Sequence, residues 1–103
     1  MIRIRASLHG SEILSLSVTG HSGSAEKGED LVCAAVSAVS FGLLNALDLL
    51  GSDADLKLED NLIDIRTVTP DQTTETILKT GLIQLQTIEE TNQKYVRIEK
   101  TEV

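Results

Sequence analysis

Residues 2–8 read I-R-I-R-A-S-L, a strict alternation that sets Ile2, Ile4, Ala6 and Leu8 on one face and Arg3, Arg5 and Ser7 on the other. A period of two marks a strand with one dry side and one wet side. The pattern returns at residues 13–19, where Leu14, Leu16 and Val18 are expected to point inward, and His9-Gly10-Ser11-Glu12 between the runs reads as a hairpin loop. The chain therefore opens with an antiparallel pair. Leu56 and Leu58, a turn at Asp60-Asn61, then Ile63 and Ile65 spell a second hairpin. Residues 94–100, K-Y-V-R-I-E-K, add a last strand with Val96 and Ile98 inward.

Two helices separate these strands. Asp30 is the expected N-cap of an apolar helix that runs to about Leu50 and stops at Gly51. It is rich in small residues (Ala34, Ala35, Ser37, Ala38, Ser40, Gly42), which let it pack closely on more than one neighbour. Thr69-Pro70-Asp71-Gln72 reads as the second start, with Thr69 as cap, Pro70 at the first helical position and Gln72 completing a capping box. That helix carries Ile77, Leu78, Leu82, Leu85 and Ile88 on one stripe. Gly81 falls on the same face, where it costs about 1 kcal/mol of helix propensity, so close packing is the expected reason for it. The order is ββαββαβ: an α+β fold, one mainly antiparallel sheet carrying two helices, with residues 1–103 forming a single domain.

Composition narrows the function. Nine basic against sixteen acidic residues give a net charge of −7, which argues against direct nucleic-acid binding, since phosphates call for a basic face. Phe41 and Tyr95 are the only aromatics, so the core is aliphatic. The nearly uncharged stretch from Leu31 to Leu47 is internal and lacks the basic flank of a signal peptide, so a buried helix is expected there and no membrane partner. One cysteine and two histidines are too few for a disulfide framework or a closed zinc site; neither metal nor cofactor is expected, and the cytoplasm is the expected location.

Between the first hairpin and the first helix lies G-H-S-G-S-A-E-K-G-E, residues 20–29, a glycine-rich and flexible loop without apolar periodicity. It joins His21, at a strand end, to Cys33, expected as the third residue of the helix. There the unpaired N–H groups and the positive end of the helix dipole would favour thiolate over thiol. Thiolate, imidazole and N–H donors are the parts that acyl transfer by a cysteine nucleophile requires. Two plainer readings stand beside this one: Cys33 as a small buried hydrophobe, and His21 as a loop residue. Asp30 read plainly is a cap, and Ser37 a hydroxyl bonded back to its own helix.

The run G-H-S-G-S-A-E-K-G-E-D-L-V-C-A-A-V-S, residues 20–37, resembles the signature of the bacterial ribosomal-processing cysteine protease family, Prp. That signature is Gly-His, a glycine-containing loop, then Gly-x-Asp-(Ile/Leu)-Val-Cys-Ala-(Ala/Gly)-x-Ser. Gly20, His21, Gly28, Asp30, Val32, Cys33, Ala34 and Ser37 fall on matching positions, while Ser22 stands where many relatives have Ala. The resemblance implies a cytosolic homodimer that removes a short N-terminal extension from a large-subunit ribosomal protein, number twenty-seven in the bacterial series. The extension ends in an apolar, aromatic-rich motif at the cut. Carried over by position, Cys33 is the nucleophile and His21 its base, while Gly20, Gly28, Asp30 and Ser37 shape the substrate site. Two other classes remain open: a non-catalytic dimeric module that binds a basic ribosomal protein, and a redox-sensing thiol at Cys33.

Overall fold

Strand β1 (Ile2–His9) turns through Gly10 and Ser11 into β2 (Glu12–Thr19), as the alternation predicts. The computed structural model describes residues 1–20, 27–51 and 53–103, with residues 27–30 described as backbone only. Gly10 takes φ 62°, the left-handed conformation that tight hairpins favour. The pairing is not regular throughout. Ser7 lies opposite Ser15 but Leu8 lies opposite Ile13, so Leu14 is an extra residue in β2. This bulge reverses the inward face, and the core receives Ile13 rather than Leu14, which is only half-buried.

Helix α1 (Lys27–Leu49) follows and ends at Gly51, whose φ of 75° suits the position just past a helix. Strands β3 (Ala54–Glu59) and β4 (Leu62–Thr67) form the second hairpin, with Asn61 at φ 63° in the turn. Helix α2 (Gln72–Glu90) and β5 (Val96–Glu102) complete the order ββαββαβ. The cap of α2 is Asp71 rather than Thr69: its carboxylate accepts the Thr74 N–H at 2.7 Å, which holds its pKa below the usual carboxylate value. Aspartate is a stronger N-cap than threonine, and the Thr69 amide is already committed to the Asp53 carbonyl at 3.3 Å. Pro70 therefore precedes the cap instead of opening the helix.

The five strands make one sheet in the order β3-β4-β2-β1-β5, antiparallel throughout except that β5 lies parallel to β1. Both helices cover one side. Ile2, Ile4, Leu16, Val18, Ile63 and Ile65 form the floor of the core; Val36, Leu43 and Leu47 of α1 and Leu78, Leu82 and Leu85 of α2 form its roof. Although Leu31–Leu49 is long and apolar enough to cross a membrane by length and composition, these contacts are those of a core helix. The other side of the sheet is polar, with Arg3 and Arg5 both near Glu99 (3.6 and 3.9 Å) and Arg66 on Asp64 at 3.0 Å.

Two glutamates tie α2 down. Glu75 accepts the Ile13 N–H of β2 at 3.2 Å, and Glu89 accepts the Ile98 N–H of β5 at 2.6 Å. Where α1 and α2 cross, a Cβ on Gly81 would sit 2.8 Å from both methyl carbons of Leu43, so the glycine is there for close packing, as expected.

Candidate active site

The site is built on the exit of β2 and the first turns of α1. Gly20 follows β2 at φ 80°, and a Cβ at that position would overlap the Met1 carbonyl oxygen. Both facts exclude a side chain. The chain thus leaves the sheet pressed against Met1, just before β1 begins. His21 and the rest of the expected loop through Glu26 lie outside the described residues. Lys27, Gly28 and Glu29, expected in that loop, belong to α1 instead.

Helix α1 therefore starts earlier than its sequence suggests. Asp30 is its fourth residue, not its N-cap, and Cys33 its seventh, not its third. Polar helix formers upstream of Asp30 extend the helix, and one glycine among them costs too little to stop it. The consequence is chemical. The unpaired N–H groups of a helix lie in its first four positions, and the dipole's influence fades beyond the first turn. Cys33 is past both, so neither the unpaired N–H groups nor the helix dipole activates its thiol.

Cys33 is not in a disulfide, is 9% exposed, and packs in the core cluster beside Val32 and Val36. At 100° per residue, Ser37 lies one turn further on the same flank, half-buried, and Leu44 beyond it. Ser40, on the same face, is buried, and among the described residues its hydroxyl has no hydrogen-bond partner. Reading Ser40 as a small packing residue could not reveal that, because packing says nothing of the hydroxyl. The groove between the helices, lined by Ala38, Gly42 and Ala46 of α1 with Thr76 and Thr80 of α2, is on the opposite flank. Among the described residues, no group of three or more His, Cys, Asp or Glu side chains is placed to hold a metal ion.

Residues 1–97 match the family model described as "Cysteine protease Prp". The chain belongs to the Prp cysteine protease family. Among similar Prp proteins is the ribosomal processing cysteine protease Prp of Staphylococcus aureus, 38% identical over 91 residues that make up 84% of this chain and 86% of that protein. Two crystal structures of the essential S. aureus Prp share the fold. One, in complex with a substrate peptide, has a TM-score of 0.87 and 31% identity, covering 98% of this chain and 100% of the other. The second, with a covalently linked product peptide, has a TM-score of 0.87 and 32% identity, with the same coverage. This is a cysteine protease, and Cys33 is the one cysteine in its sequence.

Proposed function

We propose that this chain cuts a short N-terminal extension from a large-subunit ribosomal protein, number twenty-seven in the bacterial series, with His21 and Cys33 as its dyad. The observation that carries the reading is that the one cysteine of a Prp chain sits on a core helix, while in sequence His21 follows β2 by two residues and precedes that helix by six. The Cys33 thiolate attacks the scissile carbonyl carbon, and the resulting oxyanion collapses to a thioester as His21 gives the leaving amine its proton. Water, deprotonated by His21, then releases the acid and restores the thiol. Gly20, Gly28, Asp30 and Ser37 shape the site around these two groups.

The enzyme works in the cytoplasm, as a homodimer, without direct nucleic-acid contact. The net charge of −7 supports the last point, and the uncharged outward face of α1 (Leu31, Ala34, Ala35, Ala38, Phe41) supports a second copy as neighbour. Incubation with a peptide spanning the junction of the precursor should yield two fragments by mass. Cys33→Ala should abolish them with the circular dichroism spectrum intact, and His21→Ala should slow them strongly. Iodoacetamide alkylation of Cys33 should have its pH midpoint below about 8.5, and a higher one in His21→Ala. Unchanged cleavage by Cys33→Ala would return the protein to the class of binding modules.

A further inference from the structure

Leu56 and Leu58 are apolar residues of β3, yet they are 39% and 57% exposed. Their cross-strand partners on β4 are Ile65 and Ile63, both buried in the core. Residues directly opposite in an antiparallel pair share a face, so the two leucines lie on the helix-covered side of the sheet where no helix covers them. The reason is the placement of the helices. Helix α2 is tied to β2 through Glu75 and to β5 through Glu89, and α1 packs beside it, so β3 projects past both at the far edge of the sheet.

That uncovered shelf lies on the Cys33 side of α1. Val39 and Ala46 face α2 across the groove, and Cys33, Ser37 and Leu44 point roughly 150° away from them, toward the β3 edge. The ends match as well. Thr19, where β2 stops, pairs with Leu62, which also pairs with Glu59, so Leu58 stands at the end of the sheet from which α1 departs. Only six residues separate Gly20 from Lys27, and Cys33 lies about 9 Å along the helix from there.

We propose that Leu56 and Leu58, beside the flank of α1 that carries Cys33, form an apolar shelf that seats two alternate side chains of the extended peptide being cleaved. The proposal rests on the reading of Cys33 as the nucleophile. Leu56 and Leu58 are two residues apart, a spacing of roughly 7 Å, and an extended peptide lying along them presents its own side chains with that period. Two half-exposed leucines offer far less than the roughly 800 Å² per partner of a stable dimer, but they match two side chains of a peptide. The shelf is a determinant of specificity: peptides with apolar residues at alternate positions near the cut gain contacts that polar ones do not.

The test compares wild type with the Leu56→Asn/Leu58→Asn double variant on two peptides. One is the precursor junction peptide; the other has its apolar residues near the cut changed to serine. The ratio of kcat/KM for apolar over serine peptide should fall about tenfold or more in the double variant, through KM. Turnover at saturation and the rate of Cys33 alkylation should stay within about twofold, and Leu58→Met should restore the discrimination of a Leu58→Asn single variant. An unchanged ratio with an active wild type overturns the shelf and leaves the proposed function standing. A lowered association state in sedimentation with no change in the ratio assigns the face to a second copy and overturns it too. A wild type that cuts neither peptide overturns both readings.

Discussion

Gly20 offers a quantitative check on how the site is anchored, because three glycines in the chain separate the energies involved. Gly10 has a positive φ of 62° and open space where a Cβ would stand. Alanine there pays only for the left-handed backbone, about 1–2 kcal/mol. Gly20 has the same kind of backbone, φ 80°, but its Cβ would overlap the Met1 carbonyl oxygen and lie 3.2 Å from the Met1 carbonyl carbon. Backbone cannot rotate aside as a side chain can, so overpacking adds about 1–3 kcal/mol, and the total of roughly 2–5 kcal/mol is a large part of a small domain's stability. Gly42 lies inside α1 with open space around it, and alanine there should add about 1 kcal/mol. In urea, with about 1–3 kcal/mol per molar for a domain of this size, Gly20→Ala should lower the midpoint by about 1–2 M. Gly10→Ala should lower it by less than about 1 M, and Gly42→Ala should raise it. Equal losses for Gly10→Ala and Gly20→Ala would refute the claim that contact with Met1 fixes this glycine.

Further outcomes follow from the caps, ties and surfaces described above. Because the Thr74 N–H lowers the pKa of Asp71 in the folded protein, its contribution is complete above the unfolded value of about 3.9 and disappears as pH falls through the folded one. The difference in Tm between wild type and Asp71→Ala should therefore be constant above about pH 5 and close on further acidification. Glu89→Ala removes the acceptor for the Ile98 N–H and should cost about 1–3 kcal/mol in chemical denaturation, with faster hydrogen exchange at that amide. Glu89→Gln, which keeps an acceptor oxygen, should lose less. Sedimentation at micromolar concentration should give about twice the 11.1 kDa of one chain, and Phe41→Glu should shift it toward the monomer.

Most of the fold was legible in the chain because it rests on local periodicity. The alternations around Ile2, Ile63 and Val96 and the apolar stripe of α2 correspond to real strands and a real helix. What escaped depends on competition between near-equal neighbours or on distant partners. The bulge at Leu14 exchanges one aliphatic side chain for another, so both Ile13 and Leu14 satisfy a strand pattern. Asp71 and Thr69 are both able to cap, and the stronger of the two, aspartate, takes the Thr74 N–H. The exposure of Leu58 was beyond reach, since it depends on where two helices lie across the sheet. The motif singled out Cys33, Ser37 and Gly20, but the start of α1 was not legible, and with it the distance of Cys33 from the helix end.

Strand β5 lies parallel to β1, and that single pairing joins Ile2 to Val96, ninety-four residues apart. Contacts so distant in sequence are slow to form, because nearly the whole chain must be closed into a loop first. During synthesis, β1 leaves the ribosome well before β5 and waits with one edge unpaired until β5 has been added. Through that interval the edge of β1, alternating Ile2, Ile4 and Ala6 with Arg3 and Arg5, is open to pairing with other chains, and its two arginines are the charges that discourage it. Removing the last eight residues would make that exposure permanent, so a chain ending at Tyr95 should aggregate with both Cys33 and the whole of α1 still present.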